Sequence, residues 1–141
     1  MSCWVCGFVA PGGAIISTER WIVDHCVGPL GVGTLIVRPH RHVERVGDLD
    51  AAESLELGPL LQRAAAVVDE VVRPSQVYVS LWSHQGREPG HIHFVVQPVT
   101  EALLARYDLH GPALQKAMFD AHERQSDDEM AAFAEHARAV W

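Results

Sequence analysis

The sequence predicts an α+β domain with an antiparallel sheet of about five strands, one long helix against it and a helical C-terminal region. Three observations carry that prediction. Five short runs of strand-forming residues, separated by turn residues, lie between positions 14 and 98. A single long run of helical periodicity follows Asp50, between the third and fourth of them. Beyond Pro98 only helical patterning remains. At 141 residues the chain is expected to be one domain with a real core.

Composition narrows the function classes. A net charge of −7 argues against nucleic acid as a partner, because that affinity comes largely from Lys and Arg on phosphates. A small phosphorylated ligand stays open, since it needs only a local patch or a few backbone N–H groups. No apolar run approaches the ~18–20 residues that span a bilayer, and Met1–Cys6 lacks the basic start and apolar stretch of a secretory signal. No membrane partner is expected. Three cysteines, two of them in a Cys-x-x-Cys, suit a reducing compartment and a metal better than a disulfide framework. The cytoplasm is the expected location.

Taken in order, Cys3-Trp4-Val5-Cys6 followed by Gly7 has the turn geometry of a zinc knuckle. A redox dithiol is the rival, but that motif usually opens a helix, and Pro11-Gly12-Gly13 follows here. Residues 14–17 and 20–24 read as a hairpin around Thr18-Glu19. Val27 to Gly33 is a glycine-spaced loop, able to approach a ligand through its backbone but read as a connection. Thr34 to Val37 is a continuous apolar strand, expected to be buried on both faces. It ends in Arg38-Pro39-His40-Arg41-His42, where His40 reads as a solvated loop residue.

Asp50-Ala51-Ala52-Glu53 is a capping box. Leu57, Leu60, Leu61, Ala64, Val67, Val68 and Val71 then recur at helical spacing. Pro59 predicts a kink or a second start, and Arg73-Pro74 a stop. Val77 to Trp82 is the fourth strand, and Ser83 to Gly90 a polar loop. After Pro98, helices are expected over residues 101–107, 113–123 and from Ser126 to about Val140, where Ser126 to Glu129 forms a second capping box. Met118, Phe119, Met130 and Phe133 are expected to pack against the sheet or a second subunit.

The fifth strand is Gly90 to Pro98, and it carries His91 and His93. Alternation puts Ile92, Phe94 and Val96 toward a core, and His91, His93 and Val95 on the other face, roughly 6.5–7 Å apart. Gln97 is read as facing away from that histidine face and is set aside.

Gly90 to Pro98 resembles the active-site strand of the histidine triad (HIT) family of nucleotide hydrolases and transferases, whose pattern is H-φ-H-φ-H-φ-φ. His91 and His93 match its first two histidines, Pro98 stands where many members have proline, and Val95 replaces the third histidine. The run G-x-L-I-V-x-P-x-x-H from Gly33 to His42 is similar to a second block of the same family. The resemblance covers roughly residues 3 to 98, which makes 1–98 a HIT-like core and 99–141 a helical extension it does not explain. Members of this kind are commonly homodimers, so a homodimer is expected.

The resemblance implies two sets of site residues. Cys3, Cys6, His42 and His91 correspond to four zinc ligands of some members, a closed tetrahedral set that would make Zn2+ structural. Cys26 lies outside it and reads as a packed residue. His93 takes the place of the nucleophile that attacks the α-phosphorus of a nucleotide, giving a nucleotidyl-histidine; its other ring nitrogen then needs a carbonyl or carboxylate to fix the tautomer. In the family the loop before the triad carries G-Q-S or G-Q-T and holds phosphate and ribose. Here Ser83, His84, Gln85 and Arg87 are the candidate substrate contacts, with Gly86-Arg87-Glu88 at the matching positions; Arg87 can hold a phosphate and Glu88 would repel one.

Valine at position 95 can donate to neither the phosphate nor the leaving group. Losing one such donor costs about 10²–10³ in rate. The leading expectation is a nucleotide hydrolase or nucleotidyl transferase acting on a dinucleoside polyphosphate, nucleoside phosphoramidate or similar substrate. The alternatives are a zinc-stabilised nucleotide-binding module without catalysis, and a zinc-stabilised protein-interaction domain whose apolar face includes Val95.

Overall fold

A computed structural model describes residues 2–141. The hairpin at the N-terminal end forms as expected. Strand β1 (Ile16–Ser17) pairs antiparallel with β2 (Trp21–His25), Ile16 opposite Val23. The turn between them is closed by Thr18, whose Oγ1 accepts from the backbone N–H groups of Arg20 and Trp21. Strand β3 (Leu35–Pro39) is buried along its whole length, as its unbroken apolar run predicts.

Helix α1 (Ala51–Val72) starts at the predicted capping box: the Glu53 N–H donates to Asp50 Oδ1 at 2.8 Å, and the Asp50 N–H to Glu53 Oε2 at 2.9 Å. It runs through Pro59 as one element, with no second start. Leu55, whose carbonyl Pro59 cannot satisfy, is 80% exposed, so water can take the freed acceptor.

Strand β4 (Gln76–Leu81) follows, then a small hairpin of β5 (His84–Gln85) and β6 (Glu88–Pro89), then β7 (Phe94–Val99). The sheet order is β1-β2-β3-β7-β4, all antiparallel, which leaves β4 at one edge. The polar loop after β4 is thus a hairpin rather than irregular, turning at Gly86 with φ +66°. Three helices close the chain: α2 (Glu101–Tyr107), α3 (Gly111–Ala121) and α4 (Asp127–Val140). The second predicted capping box opens α4, where the Glu129 N–H donates to Ser126 Oγ.

The two faces of the sheet are covered differently. On one, Trp21, Val23, Leu35, Val37 and Val96 meet Leu60, Ala64, Val67 and Val68 of α1, with Phe133, Ala134 and Ala137 of α4. Gly33 sits at the edge of this core at φ +95°, where a Cβ would lie 2.9 Å from Val72 Cγ2. A side chain fits there neither by conformation nor by space.

The other face carries three things in succession. The N-terminal segment lies over Asp24 and Arg38: Arg38 Nε donates to Asp24 Oδ2 at 3.0 Å, while Nη1 and Nη2 donate to the carbonyls of Val5 and Phe8. This ion pair is buried, and it fastens the Cys-x-x-Cys segment to the sheet. Helix α3 covers the far end, where Leu114 and Met118 pack on Val95, Val99 and Leu30. Between the two is an open cleft over Ile36 and Val95, residues paired across β3 and β7.

Two expectations about the histidine strand need correction. The ladder begins at Phe94, four residues later than predicted, because β3 and β4 offer no pairs beyond Val37 and Leu81. Residues 91–93 lie outside the ladder, held by the Ile92 N–H donating to the carbonyl of Val43 at 2.8 Å. Gln97 does not face away from Val95. Positions 93, 95 and 97 share strand parity, and Gln97 is fully buried on the α3 side, within reach of Gln115, Met118 and the carbonyl of Leu30.

Candidate functional site

Cys3, Cys6, His42 and His91 converge, with their ligand atoms all within 4.8 Å of one another. His91 Nδ1 lies 3.6 Å from Cys3 Sγ and 3.3 Å from Cys6 Sγ, and His42 Nδ1 lies 3.5 Å from Cys6 Sγ. A tetrahedral zinc site with bonds of about 2.0–2.3 Å has ligand-to-ligand edges of roughly 3.3–3.8 Å. The cluster is compatible with zinc on that test.

The outer nitrogens agree. His91 Nε2 lies 2.9 Å from the carbonyl of Pro39, which can only accept, so that nitrogen carries the proton and Nδ1 presents its lone pair to the thiols. His42 Nε2 lies 3.2 Å from Glu44 Oε1, the same arrangement with a carboxylate.

Protonation follows the environment. Burial lowers the His91 pKa, with the neighbouring His42 and Arg38 charges adding to it, and so favours the neutral ligand form. Burial opposes ionisation of Cys3, but hydrogen bonds from Cys6, His42 and the Val5 backbone outweigh it and hold that thiol below its ordinary value. The Cys6 thiol is raised, first by burial and then by Cys3 beside it. Cys26 is a different residue altogether: burial pushes its thiol up to about 11, as a packed, unreactive cysteine requires.

His93 is two residues along and half-buried, in the wall of the cleft. Its Nδ1 lies 3.1 Å from the carbonyl of His91 and 3.4 Å from Ser83 Oγ. Because the carbonyl only accepts, Nδ1 carries the proton, and it is Nε2 that holds the lone pair of the neutral ring. Ser83 Oγ also accepts the backbone N–H of His93 at 3.1 Å, which locks the residue from its other side. The tautomer-setting group is thus a main-chain carbonyl that no sequence motif could announce.

The cleft has a volume of about 560 Å3. Its His93 end is walled by Trp4, whose ring meets the imidazole edge to face at 6.4 Å, and by Trp82 and His84. Its other end is formed by Cys26 to Leu30, Phe119, His122 and Arg124. Although the chain carries net charge −7, no carboxylate lines this cleft among the described residues; its ionisable groups are three histidines, one arginine and Cys26.

Of the candidate substrate contacts, Ser83 touches His93 and His84 lines the cleft. Gln85 and Arg87 belong to the β5–β6 hairpin and are not among the lining residues; Arg87 is exposed beside its turn. The loop from Val27, read as a connection, is instead one wall of the cleft.

Sequence reasoning missed Trp4, Trp82, Phe119, His122 and Arg124 as lining residues. For Trp4 the available signal was a tryptophan set inside the Cys-x-x-Cys, which the structure leaves exposed. For His122 and Arg124 there was none, since nothing local tells a basic residue after a helix where the turn will dock.

No family model matches the chain, and no curated protein matches it. Solved structures do. A Hit-like protein involved in cell-cycle regulation from Bartonella henselae superposes with a TM-score of 0.69 at 15% identity, covering 91% of this chain and 85% of that one. A zinc-bound histidine triad family protein from Mycobacterium smegmatis gives 0.69 at 18% identity, covering 99% and 95%. The Plasmodium falciparum diadenosine triphosphate hydrolase, solved with cyclomarin A, gives 0.69 at 13%, covering 94% and 78%. The fold of this chain is that of the histidine triad proteins.

Proposed function

We propose that the chain is a nucleotide hydrolase or nucleotidyl transferase in which His93 attacks the α-phosphorus of a dinucleoside polyphosphate or nucleoside phosphoramidate. The observation that carries this reading is the placing of His93, its Nδ1 tied to the His91 carbonyl in the wall of a cleft that no carboxylate lines among the described residues, so that Nε2 is the nitrogen available to attack. Nε2 forms a bond to phosphorus as the bond to the leaving group breaks. The bonding pair departs with the leaving group, which takes up a proton from solvent. Water or another acceptor then attacks the nucleotidyl-histidine, the N–P bond breaks, and neutral His93 is regained. Ser83 keeps the imidazole in place, and Trp4, Trp82 and the apolar floor suit the body of a nucleoside.

Cys3, Cys6, His42 and His91 would hold a zinc ion whose contribution is structural, all four positions being protein ligands. The helices after residue 99 belong to the same domain, since α3 and the turn after it complete the cleft. A homodimer is part of the reading: β4 is an edge strand with Val79 exposed on it and Trp82 exposed just beyond its end.

One observation favours a second reading, a nucleotide-binding module without turnover. Val95 offers no donor, and it belongs to an apolar cluster with Leu30, Val99, Leu114 and Met118. Hydrolysis of a diadenosine polyphosphate and of an adenosine phosphoramidate by wild type and His93→Ala separates the two. Turnover that falls at least 10³-fold in the variant supports catalysis through His93; binding of AMP without turnover by wild type supports the module.

A further inference from the structure

We propose that His84 is the general acid of the site, its imidazolium giving the leaving group the proton it needs to depart. This rests on the preceding reading of His93 as nucleophile, and it puts a side chain of this protein where that reading has only solvent.

The need for a donor comes from the chemistry. When His93 Nε2 displaces an amine from phosphorus, the bonding pair leaves on nitrogen, and an amide anion is too basic to depart without a proton. The donor has to stand at the His93 end of the cleft. Val95 is apolar, and Ser83 Oγ already accepts the His93 N–H at 3.1 Å. Trp4 and Trp82 carry indole N–H groups, which hydrogen-bond but do not transfer a proton. Among the described residues no carboxylate lines the cleft, and Cys26, His122 and Arg124 belong to its other end. His84 is the titratable group that remains on the same side as the nucleophile.

Its placement is fixed through the backbone. Ser83, the residue before it, has its Oγ 3.1 Å from the His93 N and 3.4 Å from His93 Nδ1. The Ser83 carbonyl accepts the Gly90 N–H at 3.2 Å, and His84 pairs with Pro89 across β5 and β6. A Cβ at Gly90 would lie 3.1 Å from the His84 carbonyl carbon and 3.1 Å from the Gln85 nitrogen. Those are main-chain atoms that cannot swing aside, so glycine lets the root of the hairpin close on the residues that lead into His91 and His93. From that root the His84 side chain lines the cleft together with Trp82.

The proton balance closes over two steps. As the bond from phosphorus to the leaving nitrogen breaks, the pair goes to nitrogen and the proton comes from the His84 imidazolium, leaving a neutral ring. That ring takes a proton from the water that attacks the nucleotidyl-histidine, while the N–P bond breaks and its pair returns to His93 Nε2. Both histidines end as they began.

Two AMP derivatives that differ only in leaving group test the assignment: an alkylamine phosphoramidate, whose amine needs a proton, and the p-nitrophenyl ester, whose nitrophenolate does not. The quantity to compare is kcat/KM, which reports the first step alone, for wild type, His84→Gln, His84→Ala and His93→Ala. Both His84 variants should lose about 10²-fold or more on the phosphoramidate and less than about threefold on the ester. His93→Ala should lose both activities. Retained ester turnover also shows that a His84 variant has folded. The assignment is overturned if the His84 variants slow both substrates equally, or neither. Ester turnover that needs His93, with no selective effect at His84, sinks this assignment alone. Wild type that turns over neither substrate, or His93→Ala that keeps its ester turnover, sinks the reading beneath it as well.

Discussion

The tautomer of His93 is a residue-scale property with a residue-scale test. Ser83 Oγ takes the His93 N–H and stands beside Nδ1, so removing it loosens the imidazole proposed as nucleophile. Ser83→Ala should keep its fold and lose about five- to tenfold in kcat, the worth of roughly one hydrogen bond, measured by steady-state hydrolysis. His25 supplies a second test, on stability. It is fully buried, with Nδ1 2.8 Å from the carbonyl of Cys26 and Nε2 accepting the Gly33 N–H at 2.9 Å, so only the neutral ring fits. Burial holds its pKa below the ordinary 6.5, partly offset by the Cys26 carbonyl. Between that lowered value and about 6.5 the unfolded chain binds more protons than the folded one. The His25 contribution is therefore full above about pH 6.5 and is lost as pH falls toward the folded-state value. Urea midpoints should drop from pH 7 to pH 5, and less steeply in His25→Gln.

Among the elements, α3 decides what position 95 can be. With Leu30, Leu114 and Met118 packed on it, Val95 is a core residue of the α3 contact as much as a site position. Restoring a histidine there should place an imidazole in an apolar cluster, costing about 1–3 kcal/mol, and should not raise turnover. Denaturation and rate measurements on Val95→His check both halves. This is also where the sequence stopped being readable. Helix and strand identities followed from period, and both capping boxes from four-residue spacing, because those signals are local. That α3 would lie on Val95, or that Gln97 would join it through Gln115, depends on contacts far apart in the chain. The convergence of Cys3, Cys6, His42 and His91 was readable for a different reason: they lie in motifs whose spacing survives in a resemblance. The cleft was not, because Phe119 and Arg124 come from segments with no motif.

At the scale of the whole molecule, one sheet face holds an N-terminal segment at one side and a C-terminal helix at the other, with the cleft between. Arg38 and the cluster of Cys3, Cys6, His42 and His91 both hold the N-terminal segment, which brings Trp4 to His93. Chelation should therefore act on stability and on the cleft together. Melting temperature should fall by about 10 °C or more, and tryptophan emission should shift as Trp4 leaves the His93 ring. The most direct test of the central claim is intact-mass analysis of the protein quenched during turnover of an adenylylated substrate. Wild type should carry one covalent adenylyl group, labile to acid as a phosphorus–nitrogen bond is, and His93→Ala should carry none. An adduct that persists in His93→Ala, or turnover by wild type with an equal rate in that variant, would contradict the assignment of His93 as nucleophile.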